Sequence, residues 1–79
     1  MLDELMNART VAGVKQTRRA LTAGQVKKLF LANDADPALT APLAEQARAA
    51  GVSVEMGATM AQLGAACKIA VGAACCAII

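Results

Sequence analysis

Leu29-Phe30-Leu31-Ala32 is an unbroken apolar run of strand length, and it constrains the fold of this chain more than any other four residues. A strand with one face in water alternates apolar and polar side chains, whereas one that does not alternate is covered on both faces. The run therefore calls for a sheet sandwiched between other layers. Asn33-Asp34-Ala35-Asp36-Pro37 follows it with residues that favour turns and helix caps.

The rest of the chain supplies those layers. Leu2, Leu5, Met6 and Ala8 follow helical spacing, with Asp3 and Glu4 suited to the positive end of a short first helix. Arg9-Thr10-Val11-Ala12 reads as a brief strand leading to Gly13, and Gln16 to Ala23 as a helix closed by Gly24. Thr40 is the expected N-cap of the next helix, with Pro42 in its first turn and Leu39, Leu43, Ala47 and Ala50 as its buried stripe, up to Gly51. Val52, Val54 and Met56 alternate with Ser53 and Glu55 as in a half-buried strand, and Gly57-Ala58 reads as a tight connection. Thr59-Met60-Ala61-Gln62 has the form of a capping box opening a short helix through Leu63 and Cys67. Ile69 to Ile79 reads as a loop and then a buried strand.

Alternating helices and strands make the class α/β: a three-layer α/β/α sandwich around a small mixed four-stranded sheet. A chain of 79 residues has room for one small core, so a single domain over 1–79 is expected. Leu63 to Ile79 is apolar enough to raise a membrane helix. Lys68, Gly64 and Gly72 interrupt it, and it falls short of the ~20 residues a span needs. A buried strand is the reading taken, with no membrane partner.

Charge is distributed unevenly. Of the eight basic residues, Arg9, Lys15, Arg18, Arg19, Lys27 and Lys28 precede Asp34, and no acid lies between Glu4 and Asp34. Asp34, Asp36, Glu45 and Glu55 come later. Such asymmetry is the electrostatic footprint of a polyanion binder, or of a solvated basic helix face. Gly13-Val14-Lys15-Gln16-Thr17-Arg18-Arg19 favours the former: a glycine turns the chain into a helix whose first N–H groups and partial positive charge suit phosphate or base acceptors. Phe30 is the single aromatic, so stacking of unpaired bases on aromatic rings is excluded as a main binding mode, and structured RNA or a duplex is the better target. Lys27 and Lys28 read equally as phosphate contacts or as an exposed pair.

Other chemistries find few residues. Cys67, Cys75 and Cys76 occur without histidine or Cys-x-x-Cys spacing, which excludes a zinc site and points to small thiols in a reducing cytosol. Asp34 and Asp36 could bind a hard cation, but capping and turn formation before Pro37 suits them better. There is no histidine or tyrosine, Ser53 is the only serine, and no phosphate loop of the Walker or dinucleotide type is present. No enzyme activity, metal or cofactor is expected.

Gly13-x-Lys15-Gln16-Thr17, Asp34-Ala35-Asp36-Pro37, and Leu63-Gly64-x-Ala66-Cys67-x-Ile69-x-Val71-Gly72-Ala73-Ala74 occur in an order that resembles the kink-turn-binding ribosomal protein family, the L-seven-Ae and L-thirty-e superfamily, in its short bacterial branch. The resemblance implies a domain that binds a helix-bulge-helix RNA element bent sharply at tandem sheared G·A pairs. It places Lys15 and Gln16 at the family's asparagine and glutamate, which read guanines, and Arg19 at a lysine facing phosphates. Ile69, Ala70 and Val71 fall on the loop that covers the flipped-out bulge nucleotide. Gly13, Lys15, Gln16, Arg18, Arg19, Asp34, Ile69, Ala70 and Val71 are thus the candidate RNA-binding residues. Gln16 is uncharged where the family has a carboxylate, which alters the tuning of that contact. The terminal helix of longer members is not expected after Ile79, nor is their role in guiding RNA modification enzymes.

The function expected is non-catalytic binding of a kink-turn in ribosomal RNA or a riboswitch by a cytoplasmic monomer. The alternative is a protein interaction module that docks through its apolar C-terminal region.

Overall fold

The computed structural model describes residues 8–69 and 71–79. The expected first helix lies on residues 1–7, outside the described residues, and so does Ala70. The elements run β1 (Thr10–Ala12), α1 (Val14–Thr22), β2 (Lys28–Ala32), α2 (Pro37–Ala49), β3 (Ser53–Ala58), α3 (Met60–Ala66) and β4 (Cys75–Ile78). The strands form one mixed sheet in the order β1-β4-β2-β3. β2 and β3 are parallel, and β4 runs antiparallel to both of its neighbours, β1 and β2.

The two-sided burial demanded by Leu29 to Ala32 is met, with alternate residues serving different cores. Leu29 and Leu31 join Cys75 and Ala77 of β4 against Ala20 and Leu21 of α1 and Leu43, Ala44 and Ala47 of α2. Phe30 and Ala32 face the other way with Cys76, against Leu63 and Ala66 of α3. The three layers of the expected α/β/α sandwich are therefore present. Each fully covered Leu or Phe contributes about 1.5–3 kcal/mol relative to leaving it in water. β4 sits inside the sheet, and Cys75, Cys76 and Ala77 have no exposed surface. The apolar C-terminal stretch is consequently core, and most of the docking surface it could have offered is consumed.

Three local expectations are corrected. α1 begins at Val14, directly after Gly13, because Gly13 at φ 91° turns the chain from β1 straight into the helix and Val14 packs against the core. α2 begins at Pro37 rather than after Thr40: Asp36 Oδ1 accepts from Ala38 N–H at 2.9 Å, and the fixed φ of Pro37 suits the first helical position. Thr40 is buried inside the helix with Leu43, Ala44 and Ala47, while Leu39 and Ala50 face solvent. Pro42 lies in the helix interior, on an exposed position.

The third correction concerns Gly57 and Ala58, which belong to β3 instead of connecting it to α3. Phe30 pairs with Glu55 but Ala32 pairs with Ala58, so β3 carries one extra residue at an irregularity where Gly57 adopts φ 113°. A bulge of this kind resets the alternation. Ala58 accordingly turns into the α3-side core, and Met56 is left 54% exposed.

Candidate nucleic-acid interface

Strand directions decide what can act together. β1, β2 and β3 all finish, and β4 begins, at one end of the sheet. α1 follows β1 after one residue and α3 follows β3 after one residue, so both helices present their N-termini at this end, as does α2 after the turn that closes β2. The loop from Lys68 to Ala74 returns the chain to the same end. Gly13 N–H donates to the Cys75 carbonyl at 3.0 Å, which locks the start of α1 against the start of β4.

The three helix starts are treated differently. α2 is capped by Asp36. α3 has the full capping box expected from the sequence: Thr59 Oγ1 accepts from Gln62 N–H at 3.1 Å and Gln62 Oε1 accepts from Thr59 N–H at 2.9 Å. Asp34 Oδ1 reaches across from the β2–α2 turn to accept Met60 N–H at 2.8 Å. α1 has Gly13 at its N-cap, no side-chain cap among the described residues, and no acid in its first turn. An uncapped helix start carries orphan N–H donors and the positive end of the helix dipole, which together attract anions.

Around that start the side chains sort by helical period. Thr17, Ala20 and Leu21 are buried, and Lys15, Gln16, Arg18 and Arg19 are exposed. The hydroxyl of Thr17 meets Cys75 Sγ at 3.4 Å, anchoring the turn that carries Lys15 and Gln16. Arg18 and Arg19 lie further along the same helix.

The basic cluster of the sequence does not form one patch. Arg9 accepts from Ile79 N–H beyond the far end of β4, and Lys27 N–H bonds the Ile78 carbonyl. Both therefore sit at the opposite end of the sheet, ~13 Å away over the four residue steps from Cys75 to Ile79. Lys28 is there too, with Nζ 3.5 Å from Glu55 Oε1 and 5.3 Å from the centre of the Phe30 ring. Lys27 and Lys28 thus stand apart from the start of α1.

The loop after α3 is held against that helix. Ile69 N–H donates to the Gly64 carbonyl and Ala73 N–H to the Met60 carbonyl, each at 3.0 Å. Ile69 is 40% and Val71 72% exposed; Gly72 packs on Met60 at the start of α3, so the loop approaches the end of the sheet where α1 starts through Val71, with Ile69 further along α3. Lys68, exposed and in the left-handed region at φ 62°, opens the loop. In the sequence Lys68 only interrupts an apolar stretch, and its place just past the capping-box helix and before Ile69 is the one signal there of a cation in the loop. Ala70 lies outside the described residues.

Asp34 and Asp36 both spend a carboxylate oxygen on a helix start. Among the described residues no group of three or more His, Cys, Asp or Glu could hold a metal ion. No helix of the described residues is long and apolar enough to cross a membrane.

The model of the ribosomal protein L7Ae/L30e/S12e/Gadd45 family matches residues 2–79. An RNA-binding protein of Geobacillus sp. (strain WCH70) is 47% identical over 75 residues, covering 95% of this chain and 92% of that protein. One of Bacillus pumilus is 44% identical over 78 residues, with 98% and 95% covered. RNA-binding protein YbxF of Geobacillus stearothermophilus is 41% identical over 75 residues, with 95% and 92% covered. Among solved structures, the 15.5kD RNA binding protein of Giardia lamblia superposes with a TM-score of 0.87 at 22% identity, over 98% of this chain and 68% of that one. A Bacillus halodurans protein of unknown function superposes at 0.83, also at 22% identity, over 98% and 78%. At such identity the likeness of the solved structures concerns the fold.

Proposed function

The chain belongs to the ribosomal protein L7Ae/L30e/S12e/Gadd45 family, and from that premise we propose that it is an RNA-binding protein that recognises a kink-turn. The relatives named above as RNA-binding proteins support the coarser half of this reading. The observation that carries the finer half is the open start of α1, with Lys15 and Gln16 exposed on it, at the same sheet end as the loop of Ile69 and Val71.

A regular A-form helix hides its major-groove base edges, so a rigid helix tip can reach guanines only where the RNA is kinked or widened. Lys15 donates to guanine O6 and N7, Gln16 offers both a donor and an acceptor, and the uncapped N–H groups of the first turn add fixed donors. Arg18 and Arg19 contact flanking phosphates, which adds affinity without sequence information. Ile69 and Val71, with Ala70, cover the base that the bulge turns out. Asp34 acts indirectly, by holding the start of α3 under that loop.

Only the bent RNA presents both the guanine edges and the free base, so the protein shifts the RNA toward that form by differential affinity. The proposed role is that of a cytoplasmic, monomeric assembly or stabilising factor for ribosomal RNA or a riboswitch, binding rather than catalysing. Fluorescence energy transfer between dyes on the two arms of a kink-turn duplex tests it. The arms approach on addition of the protein; arms that stay apart, or an unchanged response with Lys15→Ala plus Gln16→Ala, refute the reading.

A further inference from the structure

Three cysteines allow three pairings, and the tertiary structure selects one. Cys75 and Cys76 are adjacent in β4, so their side chains point to opposite faces of the sheet. Cys75 lies in the core under α1 and α2, in contact with Thr17. Cys76 lies in the core under α3, where its thiol meets Cys67 Sγ at 2.7 Å and faces the Leu63 carbonyl at 3.7 Å. Cys67 is the C-cap residue of α3 and is half-buried, so it is the member of the pair that solvent reaches. A small movement brings the two sulfurs to the ~2.05 Å of a disulfide.

We propose that Cys67 and Cys76 form an intramolecular disulfide on exposure to a low-molecular-weight disulfide such as oxidised glutathione, with Cys75 taking no part. The Cys67 sulfur attacks one sulfur of the reagent, giving a mixed disulfide and releasing the first reduced thiol. Cys76 then loses its proton to solvent and, as the thiolate, attacks the Cys67 sulfur; the departing thiolate takes up a proton and leaves as the second reduced thiol. Two protein thiols are oxidised and one reagent disulfide is reduced to two thiols. Burial, with the Cys67 contact next, pushes the Cys76 thiol up, which leaves the more accessible Cys67 as the sulfur that attacks first.

The bond ties the end of α3 to β4 across the segment that carries Lys68, Ile69 and Val71, and so stiffens that loop at its base. This consequence does not depend on any bound RNA. It makes the loop's order a function of the thiol–disulfide poise around the protein.

Reduced protein is incubated with oxidised glutathione, denatured, and its remaining thiols alkylated for intact-mass and fragmentation analysis. The expected product is a monomer with one internal disulfide and one alkylated cysteine, Cys75. Cys75→Ala still forms the bond and Cys67→Ser forms none. Backbone amides of residues 68–74 exchange with solvent at least several-fold more slowly in the oxidised protein. A lasting glutathione adduct on Cys67, a covalent dimer, three alkylated thiols, a bond lost in Cys75→Ala, or unchanged exchange across 68–74 would overturn the proposal. The wild-type product alone decides the pairing, so the test does not depend on a variant that folds.

Discussion

The carbonyl oxygen of Val71 occupies the space that a β-carbon on Gly64 would need, and Gly72 packs on Met60 one turn earlier. Glycine at 64 is therefore what lets the loop lie on the backbone of α3. A longer side chain there pushes against backbone, which cannot move aside as a flexible side chain can.

Gly64→Ala separates two opposed effects. In a helix interior alanine is favoured over glycine by about 1 kcal/mol, but the clash with Val71 forces the loop outward and costs about 1–3 kcal/mol by overpacking. The expected outcome is a lower Tm and a loss of kink-turn affinity larger than the loss of stability explains. A raised Tm with unchanged RNA binding shows that the loop is not seated by Gly64.

Asp34 and Met60 are 26 residues apart and joined by one side-chain-to-backbone bond. Asp34→Ala removes a cap from α3 and lowers stability by about 1 kcal/mol, while Asp34→Asn retains an acceptor oxygen and most of the stability. Denaturant unfolding of the three proteins measures both. Equal loss in the two variants would mean that the charge of Asp34, and not its acceptor geometry, matters.

Lys15 and the pair Arg18 and Arg19 are exposed on one helix but have different tasks in the proposed complex. Lys15→Ala reduces affinity by about 1–3 kcal/mol for a kink-turn with sheared G·A pairs and little for a duplex without them. Arg18→Ala and Arg19→Ala weaken binding to both RNAs alike, and each lowers the slope of log affinity against log salt by about one. Titrations at several salt concentrations separate these patterns.

Burial raises the Cys75 thiol above its ordinary range; the Thr17 contact offsets part of this, and Cys67 adds to the rise. Burial also raises Cys76. Above pH ~8.5 the unfolded chain ionises these thiols while the folded chain holds their protons. The folded state then binds more protons than the unfolded one, so stability falls as pH rises, by up to about 1.4 kcal/mol per pH unit for each thiol. Below that range this contribution is fully present and independent of pH. Denaturant unfolding of reduced protein between pH 7 and 10 tests the sign, with Cys75→Ala expected to show a shallower decline.

Much of the architecture was legible in local patterns. Leu29 to Ala32 announced a strand covered on both faces, and Thr59 with Gln62 announced the start of α3, because periodicity and capping act over a few neighbouring residues. The start of α2 was misread because two signals competed: Thr40 offered a cap with Pro42 two residues on, whereas Asp36 offered a cap with Pro37 directly after it, at the first helical position. The extra residue in β3 left no local mark besides Gly57, since a bulge is defined by the partner strand.

The sequence by itself determined the α/β class, the two-faced burial of the central strand, and the cationic glycine-led start of α1. The tertiary structure decided which of these meet. It set Gly13 against Cys75, brought the Ile69 and Val71 loop to the same end, and sent Arg9, Lys27 and Lys28 to the other. It also divided Cys75 from Cys76 across the sheet. The physical reason is that strand order and direction arise from hydrogen bonds between residues far apart in the chain, whose energies no short window of sequence contains.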